Sequence, residues 1–257
     1  VRAFDKLKLK RSNIIAVTMP GFGTSEKTRN NAIALSNEFG VSLREISIED
    51  SVKLHFKNIG KFDDEHDIVY ENAQARERTQ VLMDLANMEE ALVVGTGNLS
   101  EIAMGFSTYN GDHMSMYGIN SGVPKSLIRE VLRYESKNLG GNLEVIINNI
   151  INTPISPELL PSIQNTEEII GPYELHDFFL YYFLRYGFSA QKILRIANLS
   201  FGDQYTCKEI KKWFTLFIKR FFKNQFKRSC LPDGPKVLEI SLSPRNSFMM
   251  PSDVNIN

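Results

Sequence analysis

The stretch Asn13-Ile14-Ile15-Ala16-Val17-Thr18-Met19-Pro20-Gly21-Phe22-Gly23-Thr24-Ser25 decides the fold. A short apolar run ends abruptly in Pro and Gly, which predicts a buried strand and a tight loop. Thr24 or Ser25 then caps a helix with Ala32, Leu35 and Phe39 on its apolar face, and Gly40 stops it. Val41–Ile48 alternates as a second strand. Strand, helix, strand at this spacing is the sign of a parallel sheet with crossover helices, an α/β fold.

The pattern continues downstream. His55–Val69 is polar and reads as a loop with a short helix, and Glu71–Met88 as a long helix with Ala75, Thr79, Leu82 and Ala86 on one face. Ala91–Gly95 reads as a third strand, running into Thr96-Gly97-Asn98-Leu99-Ser100-Glu101 and a further helix, and Pro124 opens the next one. After residue 150 the chain becomes helical, with segments near 173–186, 189–198 and 206–228. Thr153–Pro157 is a loop, Val237–Leu242 a short strand and the end a polar tail. The expectation is one domain over 1–257, with a sheet-and-helix part at 1–150 and a mainly helical part at 151–257.

Composition narrows the function. Lys and Arg together equal Asp and Glu, 30 against 30, so no global field draws the chain to nucleic acid or membrane. The two cysteines, Cys207 and Cys230, form no CxxC pair; zinc is not expected, and both read as reduced thiols of a cytoplasmic protein. No apolar run is long enough to span a bilayer, and no signal peptide opens the chain. Val1–Leu7 reads as the back half of an amphipathic helix, which predicts that further chain precedes it.

In open parallel sheets ligands bind beyond the carboxyl ends of strands. Two segments fall there. Met19–Thr24 is either a glycine loop that lets backbone approach a flat ligand or a plain strand-to-helix turn. Gly95–Glu101 is either a phosphate-binding helix start, with Glu101 available to Mg²⁺, or a capping box of Asn98 and Glu101. Asn72 and Arg76 share a helix face; Arg76 either clamps an anion or forms a surface ion pair. Asp112 and His113 offer acid–base groups in a polar loop, though a loop histidine is ordinarily just solvated. Ile210, Trp213, Phe214, Phe217 and Phe221 form a core stripe. Lys208, Lys211, Lys212, Lys219, Arg220 and Lys223 form the opposite, solvated face, followed by Lys227 and Arg228.

Four blocks occur in order: NIIAVTMPGFGTSEKT, ENAQARERT, VVGTGNLSEIAMGFSTYNGDHMSMYGINSGVPKSLI and FKRSCLPDGPKV. Each resembles a signature of the NAD synthetase family in the form fused to a glutamine-hydrolysing domain, and the resemblance covers roughly residues 1–250. It implies an adenine-nucleotide α-hydrolase-like fold of the ATP pyrophosphatase type. It implies that ATP adenylates the nicotinate carboxylate of deamido-NAD and that ammonia from glutamine displaces AMP. By that likeness Asn72, Arg76, Phe106, Tyr109 and Lys227 contact deamido-NAD, Met19, Thr96, Lys125 and Ser156 contact ATP, and Glu101 binds Mg²⁺. A homodimer or higher homo-oligomer is implied, with no nucleic acid or membrane partner. The family's Ser-Gly-Gly-x-Asp-Ser loop, which cradles pyrophosphate and supplies a metal-binding Asp, is absent from these residues. The expectation is therefore that the chain alone is inactive, the rival readings being another amidotransferase of this fold, a non-catalytic nucleotide-binding remnant and, weakest, an RNA-binding module.

Overall fold

The computed structural model describes residues 1–62, 65–156, 158–160 and 165–254. In chain order the elements are α1 (Arg2–Lys6), β1 (Ile15–Thr18), α2 (Glu26–Phe39), β2 (Ser42–Glu45), α3 (Glu49–Ile59), α4 (Ile68–Met88), β3 (Val94–Gly95), α5 (Leu99–Met104), β4 (Tyr117–Gly118), α6 (Lys125–Leu139), α7 (Gly141–Ile151), α8 (Thr166–Ile170), α9 (Tyr173–Tyr186), α10 (Ala190–Phe201), α11 (Cys207–Lys223) and α12 (Gln225–Arg228). They gather into two compact units. The first comprises residues 1–82 and 129–165, the second 83–128 and 166–257. Among the described residues no helix is long and apolar enough to cross a membrane.

In the first unit β1 and β2 pair in parallel, Ile15 opposite Ser42 and Thr18 opposite Glu45. The helix between them starts where Ser25 accepts the Thr28 amide and stops at Gly40, whose φ of 67° suits glycine. It packs against α7. Within His55–Val69, read as a loop with a short helix, α3 runs on as far as Ile59 and α4 already starts at Ile68. The reason is a pair of apolar residues four apart, Val52 and Phe56, both buried with Ile48, Tyr70 and Ala73 against Met19, Phe22 and Leu160. That one stripe outweighs a polar sequence.

In the second unit β3 and β4 pair in parallel, Val94 opposite Tyr117 and Gly95 opposite Gly118. The third strand is therefore two residues, shorter than Ala91–Gly95. Helices α9, α10 and α11 pack on one another, and α5 packs on α9 and α11. Ile210, Phe214, Phe217 and Phe221 are buried as the stripe predicts, with Phe179 edge-on to Phe214 at 5.1 Å. Lys208, Lys211, Lys212, Lys219 and Lys223 are exposed. Val237–Leu242 forms no strand. Ile240 and Leu242 bury alternately, but no ladder is available to them, and only Asp233 makes an isolated bridge, to Tyr117. Parallel pairing with flanking helices thus holds in both units, and no third strand joins either ladder among the described residues. Pro157 and the last residues of the tail, 255–257, lie outside the described residues.

Candidate active site

Beyond the carboxyl end of β3 lies a cleft bordered by Gly97, Glu101, Ser107, Asp112, His113 and Pro232 among others. Its floor begins at α5. Asn98 accepts from the Ser100 and Glu101 amides at 3.1 Å each, and Glu101 Oε2 accepts the Asn98 amide at 3.2 Å. This is a full capping box, and the Leu99 amide donates to the Val123 carbonyl. The first three amides of the helix are therefore engaged within the protein, so a phosphate at this short helix start has no free amide there. The capping reading of Asn98 and Glu101 holds.

Glu101 keeps a second function available. Its Oε1 lies 3.2 Å from Lys125 Nζ, with both side chains about a quarter exposed. A partly exposed ion pair at a cleft wall can exchange partners with an incoming anion and cation. Thr96 is exposed beside it, and a Cβ built on Gly97 meets nothing within 4 Å. A Cβ on Gly95, by contrast, would sit 2.7 Å from Ser115 Cβ. Gly95 is required by packing, whereas Gly97 leaves room in front of the cleft. Asp112 keeps part of its surface in solvent while its carboxylate accepts the Thr108 amide at 2.6 Å. Burial raises the Asp112 pKa, and the like charge of Glu101 adds a smaller push.

The groups behind this wall were not visible in the sequence. Asp177, on α9, accepts from the Ser100 hydroxyl, from the Ser126 hydroxyl at 2.6 Å and from the Ser126 amide at 3.0 Å. Ser100 Oγ in turn accepts the Lys125 amide at 2.8 Å. One carboxylate thus ties the starts of α5 and α6 together and fixes where Glu101 and Lys125 stand. Burial raises the Asp177 pKa against the pull of these hydrogen bonds.

The other end of α5 is held by cations. Arg228, only 1% exposed, donates to the Ala103 carbonyl at 3.0 Å and to Ile102 at 3.3 Å. Arg220 Nε donates to Met104 at 3.1 Å. Lys227 Nζ donates to Gly105 at 2.8 Å and Ser107 at 2.6 Å. Positive charge at helix-end carbonyls is favourable. Burial lowers the pKa of all three groups, that of Arg228 to about 10. Arg220, Lys227 and Arg228 therefore differ from the solvated lysines that precede them. Phe106 lies half-buried with the Arg220 guanidinium 5.6 Å from its ring. Tyr109 is exposed and stacks on His113 at 5.6 Å.

Met19, Asn72, Arg76 and Ser156 belong to the first unit. The Met19 carbonyl accepts Arg78 Nε at 3.1 Å, and its side chain joins the Phe22 cluster. Asn72 is half-buried and Arg76 exposed, one turn apart on α4. Ser156 Oγ accepts the Glu158 amide at 3.2 Å, a local turn contact. Gln74, fully buried, bridges the Leu159 carbonyl and the Phe22 amide, a long-range role that spacing alone cannot reveal.

Comparison with known proteins places these observations. Residues 1–230 match the NAD synthase family. The chain is 39% identical to the glutamine-dependent NAD(+) synthetase of Mycobacterium leprae, over 99% of this chain and 42% of that protein. The corresponding synthetase of Mycobacterium tuberculosis is 39% identical over 98% of this chain and 42% of its own length. The chain thus spans about two-fifths of these relatives. Among solved structures, a glutamine-dependent NAD(+) synthetase from Cytophaga hutchinsonii superposes with a TM-score of 0.73 at 23% identity, covering 91% of this chain and 38% of that one. The NH3-dependent NAD synthetase from Campylobacter jejuni gives 0.55 at 19% identity, covering 93% and 82%. At those identities the likeness concerns the fold.

Proposed function

The chain belongs to the NAD synthase family, and from that premise we propose that it forms the amide-making half of glutamine-dependent NAD⁺ synthesis. In this reading ATP activates the nicotinate carboxylate of deamido-NAD as an acyl adenylate and pyrophosphate leaves. Ammonia, delivered by a glutamine-hydrolysing domain, then attacks the acyl carbon and AMP leaves. A free carboxylate is a poor electrophile, so the protein must hold it in line with the α-phosphate and offset the charge that grows there.

The observation that carries this reading is the cleft beyond β3, where Glu101 and Lys125 meet at 3.2 Å beside the open face of Gly97. Lys125 supplies positive charge toward phosphate. Thr96 and the Gly97 backbone border the nucleotide. Phe106, Tyr109 and Lys227 seat deamido-NAD; Lys227 does so by fixing the 105–107 loop. Asn72, Arg76, Met19 and Ser156 keep the roles the family likeness gives them. Mg²⁺ fits as an ion shared with the ligand. Glu101, whose Oε1 already faces a cation in Lys125, would hold it. When bound, it neutralises phosphate charge. A cytoplasmic location and a homodimer or higher homo-oligomer belong to the same reading.

Calorimetric titration separates this reading from another amidotransferase of the same fold. Deamido-NAD is expected to bind while xanthosine monophosphate does not. The reverse preference, or no binding to a folded chain, would overturn it. The missing Ser-Gly-Gly-x-Asp-Ser loop favours binding without turnover by these 257 residues alone. A mixture of the chain, ATP, deamido-NAD and ammonium is accordingly expected to yield no NAD⁺, and measurable NAD⁺ would refute that part.

A further inference from the structure

Cys230 and His113 are 117 residues apart in sequence, yet their side chains meet with Sγ 3.4 Å from Nε2. The other ring nitrogen, Nδ1, lies 3.0 Å from the Thr108 carbonyl, which can only accept. Nδ1 therefore carries the proton, and Nε2 presents a lone pair to the thiol. The ring is held in this attitude by Tyr109, stacked at 5.6 Å and 28°, which itself packs on Phe226 at 5.5 Å. Burial keeps His113 below the usual imidazole pKa. The thiol has a second, weaker acceptor in the Lys227 carbonyl at 3.5 Å. The charged groups near the pair are the Lys227 ammonium, bound to its two carbonyls, and the Asp112 carboxylate, bound to the Thr108 amide. His113 borders the cleft, as do Leu231 and Pro232, the two residues after Cys230. The other cysteine, Cys207, is exposed and meets no histidine among the described residues.

An oriented imidazole against a partly exposed thiol is the arrangement that turns a thiol into a nucleophile. We propose that His113 and Cys230 form a thiol–disulfide exchange site for small disulfides, and that the adduct obstructs the cleft. Nε2 takes the thiol proton. The Cys230 thiolate attacks one sulfur of the disulfide, a new S–S bond forms, and the old one breaks with its electron pair on the departing thiolate. That thiolate takes the proton back from the imidazolium. One protein thiol is oxidised to the mixed disulfide and one half of the small disulfide is reduced to its thiol, so the step needs no other oxidant. A thiol reductant reverses it.

The probe is oxidised glutathione at a fixed neutral pH, with adduct at each cysteine followed by peptide mass mapping. Cys230 is expected to react about tenfold faster than in the His113→Gln variant, less than the roughly hundredfold floor of a fully effective base, while Cys207 is unaffected. Equal Cys230 rates in the two proteins, or adduct on Cys207 alone, would overturn the proposal. Should His113→Gln fail to fold, the unmodified sequence provides the second measurement: native Cys230 is expected to outpace the same cysteine in urea-unfolded protein, and a slower native rate would overturn the proposal equally. None of these readouts depends on NAD⁺ synthesis.

Discussion

Two glycine-bearing turns follow a parallel strand, one in each unit, and they put their glycines to opposite uses. After β1, Gly23 is pressed against protein: a Cβ there would come within 2.4 Å of the Leu160 carbonyl oxygen and 2.7 Å of Glu158. The Gly21 amide is taken by Thr24 Oγ1 at 3.0 Å, and Phe22 stacks into Phe56 and Tyr70. After β3, Gly97 faces nothing within 4 Å. One turn is a packing device and the other an opening. A motif of strand, glycine and helix therefore does not by itself locate a ligand; what fills the space in front of the glycine does.

The comparison breaks most readily through the support behind the open turn. Asp177→Ala leaves two hydroxyls and an amide without their acceptor, each a loss of ~1–3 kcal/mol, so denaturant unfolding is expected to show a deficit on the order of 4 kcal/mol. A loss below about 1 kcal/mol would mean the carboxylate is not what fixes α5 and α6. Acid gives the next largest effect. Burial depresses His176 from 6.5 to about 4 in the folded state, and its Nδ1 has no hydrogen-bond partner among the described residues. The unfolded state then binds the proton first as pH falls below 6.5, so stability present above that value is lost on the way down to about 4, in all about 3 kcal/mol. Hydrogen exchange at pH 7 and pH 4.5 should show the second unit loosening, and His176→Gln should flatten that dependence.

The glycines themselves sharpen the contrast at a smaller scale. Gly23→Ala must push backbone aside and is expected to cost about 2 kcal/mol. Gly97→Ala should stay within about 0.5 kcal/mol in stability and instead weaken nucleotide binding in calorimetry. If both variants lose the same stability, the distinction between the turns fails. The smallest stability effect belongs to Arg76→Ala. The residue is exposed on α4, so unfolding should be unchanged while deamido-NAD affinity falls. Unchanged affinity would remove Arg76 from the site.

Local signals read well from sequence alone. The strand at Ile15–Thr18, the Gly40 stop, the Asn98–Glu101 cap and the aromatic stripe of α11 are each decided by residues a few positions apart. Helix α3 escaped because only Val52 and Phe56 mark its buried face amid polar neighbours. Val237–Leu242 misled because alternation records burial, and burial without a neighbouring strand makes no sheet. At the site, Glu101 and Lys125 were legible as residue types within recognisable blocks. Asp177 was not, since its partners lie 51 and 77 residues away and nothing local marks it. Nor did the basic run disclose that Arg220, Lys227 and Arg228 turn inward while the lysines before them face water.

The grip on the far end of α5 has a consequence for how the molecule comes into being. Two arginines reach back across 116 to 126 residues to carbonyls of a six-residue helix that is too short to persist unaided, and Lys227 reaches the carbonyls of Gly105 and Ser107 just past its end. As the polypeptide is made from its amino end, the segment around residue 100 emerges long before residues 220–228 exist to hold it. The cavity's floor must therefore be among the last parts to set. A ribosome stalled just short of Arg220 would display both strand pairs' sequences and no finished pocket.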